Sequence, residues 1–128
     1  MAINPEEWLK QCDYDLSTAE YMFRGKRYFY AVFMCHLSIE KALKGLFQKR
    51  LKDVPPKTHN LIYLINKLDI KTSEDIGRFL VKLNQTSVVT RYPEDIAKLQ
   101  KDYTQSIVKE TFIKTKETIK WIKSQYHP

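Results

Sequence analysis

The sequence predicts an all-α fold, a bundle of four helices with one short additional helix. Apolar residues recur at steps of three and four through five successive segments, the period of a helix with one buried face. Those segments are punctuated by signals that stop and restart helices: Gly25, Pro55-Pro56, Ser73 and Pro93. No segment shows the two-residue alternation of a strand, and the chain contains no internal repeat or low-complexity tract. With 128 residues and 43% hydrophobic composition, it is sized for a single domain, 1–128, whose core needs no metal or disulfide staple.

The first helix opens at Asn4-Pro5-Glu6-Glu7, where Asn4 caps, Pro5 suits the first helical position and the two acids complement the helix dipole. Trp8, Cys12, Leu16, Ala19 and Phe23 form its apolar stripe, and Lys10, Asp13, Glu20 and Arg24 face water. Gly25 ends it, and a very short link makes the first two helices antiparallel neighbours. The second helix, Tyr28 to Leu51, is the core element. Tyr28, Ala31, Val32, Cys35, Ile39, Ala42, Leu43 and Leu46 lie on one stripe, but the first half is apolar on the other side too, at Tyr30, Phe33 and Leu37. Further along, that second side carries Lys41, Lys44 and Gln48. A helix apolar all round is covered from two sides, by neighbouring helices or by a second copy of the protein.

Beyond Pro55-Pro56, Thr58 is placed to cap a short third helix with its stripe at Leu61, Leu64, Ile65 and Leu68. Ser73 and Glu74-Asp75 start a fourth helix. Its stripe, Ile76, Phe79, Leu80 and Leu83, dissolves into Asn84-Gln85-Thr86-Ser87 and two β-branched residues. A long loop is expected there, with Arg91-Tyr92 on irregular backbone, because Pro93 drives the residue before it out of the helical region. The last helix starts near Tyr103 and carries a heptad-like seam of Val108, Phe112, Thr115, Ile119, Ile122 and Tyr126 beside Lys109, Lys116, Lys120 and Lys123.

The net charge of +7 biases the surface toward anionic partners such as nucleic acid, nucleotide or an acidic protein. No apolar run is long enough to span a bilayer and the first residues lack a secretory pattern, so a cytoplasmic protein without membrane contact is expected. Cys12 and Cys35 fall on apolar stripes and read as buried free thiols. The three glycines, Gly25, Gly45 and Gly77, form no phosphate-cradling loop, and no metal-ligand spacing or cofactor motif is present. His36 and Glu40, one turn apart, read as a hydrogen-bonded pair rather than a metal site.

Several of these residues occur together in a known order. Asp15-Leu16 with Ala19, the Gly25 turn and Tyr28, His36-x-x-x-Glu40-Lys41-Ala42-x-Lys44, Thr58-His59-x-Leu61 and Arg91-Tyr92-Pro93 together resemble the HEPN domain (higher eukaryotes and prokaryotes nucleotide-binding) over nearly the whole chain. The resemblance implies an up-and-down bundle that is usually a homodimer. It also implies a frequent partner, a minimal nucleotidyltransferase encoded alongside in a toxin-antitoxin-like pair. HEPN members that cut RNA carry an Arg followed, after four to six residues, by a His. Here Arg91 is followed by no such His, and the pairs Arg27 to His36 and Arg50 to His59 are each separated by eight residues. The paired imidazole that would take or give a proton in RNA cleavage is therefore missing from the motif, and no catalytic residue is assigned.

The ligand-binding residues predicted for an anion, nucleotide or RNA are Arg91, Tyr92, Lys41, Lys44 and His59. A guanidinium holds phosphate bidentately and a phenol stacks or hydrogen-bonds, although an Arg-Tyr pair also suits the pinning of a loop. Lys41 and Lys44 read either as a solvated face or as part of that site, and His59 either as a capping residue or as a ligand. Tyr30, Phe33 and Leu37 are the predicted dimer interface. The expected function is a nucleotide- or RNA-binding module acting with a nucleotidyltransferase partner. The alternatives are a divergent metal-independent endoribonuclease toxin and a non-catalytic structural dimer.

Overall fold

The computed structural model describes residues 4–127, which form six α-helices and no strand. They are α1 (Pro5–Arg24), α2 (Tyr28–Leu51), α3 (Leu61–Leu68), α4 (Glu74–Arg91), α5 (Ile96–Asp102) and α6 (Gln105–Ser124). The second helix packs against every other one, most extensively against α1 and α6. Its stripe of Ala31, Val32, Cys35, Ile39, Ala42, Leu43 and Leu46 is almost wholly buried, as are Cys12 and Ala19 of α1 and Val108, Ile119 and Ile122 of α6. Full burial of a Leu or Ile side chain contributes about 1.5–3 kcal/mol, so this stripe is the main store of stability. Burial also pushes the free thiols of Cys12 and Cys35 up, to about 11 and about 12.

The first two helices begin and end as their sequence dictates. Asn4 Oδ1 accepts from the Glu7 N–H at 2.7 Å, and Pro5 occupies the first turn. The Gly25 N–H closes α1 onto Tyr21 O, but the left-handed residue of the turn is Lys26, with φ 62°. The two ends of the described chain are bound to the far half of α2. The Tyr126 hydroxyl donates to Ala42 O at 2.6 Å, Trp8 Nε1 donates to Gln48 Oε1 at 2.8 Å, and Arg50 Nη2 donates to Gln125 O at 2.9 Å. This convergence needs Gly45. A Cβ there would collide with the Tyr126 hydroxyl and stand 2.8 Å from Trp8 Cβ.

Four expectations change. The short helices number two rather than one, because Ile96–Asp102 forms α5, capped by Asp95, whose side chain accepts from the Lys98 N–H. The last helix therefore starts after Tyr103, with Thr104 as its cap. The third helix is capped by Asn60, whose Oδ1 accepts from the N–H groups of Ile62 and Tyr63, and Thr58 instead accepts from the Asn60 N–H. Most consequentially, Asn84–Thr90 is not a loop: α4 runs through to Arg91. The inward stripe continues in small polar residues, Ser87 and Thr90, both buried. Their hydroxyls donate to Asn84 O and Ser87 O one turn back, which removes the cost of burying them.

Gly45→Ala is expected to lower stability by about 1–3 kcal/mol, the usual cost of overpacking, and to shift the urea midpoint accordingly. Tyr126→Phe, which removes only the hydroxyl, is expected to cost about 1 kcal/mol. An unchanged midpoint in Gly45→Ala would contradict the close approach of the three segments.

Candidate functional site

Glu40 sits in the middle of α2 and is 4% exposed. A carboxylate so placed needs partners, and two neighbours supply them. His59 Nδ1 lies 2.9 Å from Oε1, and Lys44 Nζ, one turn further along α2, lies 3.1 Å from Oε2. His59 lies in the α2–α3 connection, which leaves α2 at the left-handed Lys52 and bends at Asp53 and Lys57 before entering α3. His36, one turn earlier on α2, is fully buried, yet its Nδ1 is 3.9 Å from Glu40 Oε1 and makes no hydrogen bond. The expected His36–Glu40 hydrogen bond is thus not formed, because the ring's bonded edge faces Asn84 of α4 instead.

Asn84 ties the three helices together. Its Oδ1 accepts from the Leu61 N–H at 2.9 Å and its Nδ2 donates to Asn60 Oδ1 at 2.8 Å, which sets the orientation of the amide. His36 Nε2, 3.3 Å from the same Oδ1, must therefore be the protonated nitrogen. Burial pushes the His36 pKa down, and the charge of Arg91 adds to that. Glu40 and the Asn84 hydrogen bond act in the opposite direction without overcoming it.

Beside this network lies a cavity of about 260 Å³ lined by His59, Asn60, Asn84, Ser87, Arg91 and Tyr92, together with Val88. Arg91 is the last residue of α4, its guanidinium 4.6 Å over the Phe33 ring of α2. Its Nη2 is buried without a hydrogen-bond partner. Tyr92, 73% exposed, stands at the rim. Of the residues predicted to bind an anion, Arg91, Tyr92 and His59 come together here, and Lys44 joins them through Glu40. Lys41 does not: its Nζ pairs with Asp15 of α1 at 2.8 Å. Phe33 and Leu37 are half-buried and Tyr30 is exposed, so the second face of α2 is only partly covered by this chain. Sequence reasoning missed Asn60, Asn84 and Ser87. The signal was the spacing of Asn84, Ser87 and Arg91, which continues the helical stripe of α4 in polar residues.

A wider groove of about 400 Å³ opens between α4 and α6 over Val32, Phe79 and Leu83. Its ionic groups lie at the solvent rim or are paired, as Asp75 is with Lys114 at 3.6 Å, so it presents no unmet polar demand comparable to that of Arg91.

Comparison with known proteins agrees with this architecture. The HEPN domain model matches residues 5–125. The chain belongs to the HEPN domain family. It superposes on an archaeal HEPN homologue, ST0689, with a TM-score of 0.79 and 25% identity, covering 97% of this chain and 98% of that one. It also superposes on TT1696 from Thermus thermophilus with a TM-score of 0.80 and 21% identity, over 94% and 97% of the two chains. No curated protein matches it. No helix among the described residues of this HEPN domain is long and apolar enough to cross a membrane.

Because the folded pKa of His36 lies below its unfolded value, the unfolded HEPN chain takes up the proton first on acidification. The stability contributed by neutral His36 is complete above the ordinary imidazole value of about 6.5 and is lost as pH falls below it, by up to about 1.4 kcal/mol per pH unit. Chemical denaturation between about pH 7 and about pH 5 should show this slope, and His36→Gln should reduce it. Equal slopes in the two proteins would exclude a buried neutral His36.

Proposed function

We propose that this HEPN domain binds the phosphate of a nucleotide or RNA at the Arg91 pocket. One observation carries the reading: a guanidinium with no hydrogen bond or ion pair among the described residues, with one nitrogen buried, faces a cavity shared with His59 and Tyr92. Leaving such a group unsatisfied costs free energy, and a phosphate supplies the bidentate acceptor that its geometry fits. The formal charge of +7 draws phosphates toward it at long range. The proposal includes an up-and-down arrangement of α1, α2, α4 and α6. It also includes a homodimer through the second face of α2, and a role as a binding module beside a minimal nucleotidyltransferase in a toxin-antitoxin-like pair. The half-covered Phe33 and Leu37 and the exposed Tyr30 support the dimer, since a helix face with this much apolar surface is covered in an assembly.

A second reading, metal-independent ribonuclease activity, is favoured by the position of His59. The imidazole absent from the sequence motif is replaced in space by one from the α2–α3 loop that lines the same cavity as Arg91. Cleavage of RNA in the presence of a chelator, lost in His59→Gln, would establish it. Full-length RNA after prolonged incubation would dismiss it.

Binding to a short RNA oligonucleotide should weaken linearly in log affinity against log salt. Arg91→Ala should reduce affinity by roughly tenfold or more, the worth of a charged hydrogen bond, whereas Lys123→Ala should have little effect. Unchanged binding with a lowered melting temperature in Arg91→Ala would assign the arginine to packing against Phe33 alone. Sedimentation at micromolar concentration should give a dimer, dissociated by Leu37→Glu. The test avoids Phe33→Glu, which would place a carboxylate under the Arg91 guanidinium.

A further inference from the structure

The donors facing the pocket are unequal, and the inequality distinguishes one class of phosphate from another. Arg91, unpaired among the described residues, carries a planar fork suited to two phosphate oxygens; its Nη2 is buried over Phe33, so the whole fork meets a ligand only when the side chain shifts toward the pocket. His59 offers something different. Its Nδ1 lies 2.9 Å from Glu40 Oε1, and an ionised carboxylate only accepts, so the proton of the neutral ring sits on Nδ1. Nε2 then carries the bare lone pair, on a side chain that is 61% exposed and lines the pocket. It becomes a donor only when the ring takes a second proton.

The charges around His59 are few. From α2 it meets Glu40, which Lys44 and His36 also approach; from the end of α4, Arg91 and the phenol of Tyr92 line the same cavity. Glu40 and Lys44 offset one another, and burial disfavours a charge on His36, which leaves Arg91 as the unpaired cation lining the cavity. An internal phosphodiester has one negative charge and two non-bridging oxygens, and the Arg91 fork satisfies both. A terminal phosphomonoester has a charge of about −1.5 to −2 near pH 7 and three acceptor oxygens. After Arg91 has taken two, one oxygen and most of one charge remain, opposite His59.

We propose that the pocket selects a terminal phosphomonoester, on a free nucleotide or an RNA end, over an internal phosphodiester, and that binding draws a proton onto the His59–phosphate contact. This rests on the Arg91 pocket being the phosphate site. Glu40 acts as a positioning residue by fixing which nitrogen of His59 faces the ligand, a role that carboxylates commonly play toward imidazoles.

The test is titration calorimetry at about pH 7 in buffers of differing ionisation enthalpy, with AMP, the 5′-phosphorylated dinucleotide pApA and the unphosphorylated ApA as probes. pApA, AMP or both should bind roughly tenfold or more tightly than ApA, with net proton uptake that ApA binding lacks. His59→Gln, a change in an exposed side chain, should retain the melting temperature, bring the phosphorylated probes to the level of ApA and abolish the uptake. Arg91→Ala should weaken all three. Tighter binding of pApA than of AMP identifies an RNA end as the ligand, and equal binding identifies a free nucleotide. Equal affinity for the phosphorylated and unphosphorylated probes without proton uptake overturns the proposal and leaves the Arg91 reading standing. Uptake that persists in His59→Gln overturns the assignment to His59, and no binding of any probe to the wild type removes both readings.

Discussion

A helix that is apolar around most of its circumference has to be covered on all of those sides, and α2 imposes that requirement on the rest of the molecule. The other five helices are disposed around it, and both ends of the described chain return to its far half, where Tyr126 and Trp8 close over Gly45. Burial of this kind removes water from the polar groups on the covered sides of α2, and most of these find partners within the protein. The Ser38 hydroxyl donates to Cys12 O, His36 engages Asn84, and Glu40 takes His59 and Lys44. The polar contacts of α2 are therefore consequences of its central position.

The Glu40 group shows how this requirement produces a site. Removing one member of a buried charged pair leaves the other uncompensated, at a cost of about 3–5 kcal/mol, and this applies to the Glu40–Lys44 pair, both of whose side chains are largely buried. Its other oxygen meets His59, whose imidazole lies at the edge of a cavity. Asn84, from α4, joins the start of α3 to His36 through three hydrogen bonds. Arg91 then lies at the end of a helix whose register is already set by these contacts, its plane over Phe33. The structure answers the polar demands of Glu40 and Asn84 internally, whereas Arg91 Nη2 and His36 Nδ1 are buried without a hydrogen-bond partner among the described residues.

Local signals were legible where a single segment contains its own reason. Asn4-Pro5-Glu6-Glu7 starts α1, Ser73 starts α4 and the Tyr28–Leu51 stripe is the core helix, since caps and periodicity act within a few residues. The second half of α4 was illegible because its inward residues are Ser87 and Thr90. Hydroxylated residues read as loop formers unless it is known that they face a neighbouring helix and bond to the preceding turn. The same limitation placed Arg91 on irregular backbone when it is the last helical residue, and hid α5 behind Pro93.

The sequence by itself determined that the chain is helical, which helix is central and that the thiols are buried, and it singled out Arg91, Tyr92, Lys41, Lys44 and His59 as candidates for an anion. Tertiary structure alone decided that Arg91, Tyr92 and His59 share one cavity, that Lys41 belongs to an ion pair with Asp15, and that His36 bonds to Asn84 in place of Glu40. The physical reason is the range over which each property acts. Helix periodicity and capping are set by neighbours within about one turn, whereas a hydrogen bond or ion pair between helices depends on register and crossing, which no single segment encodes.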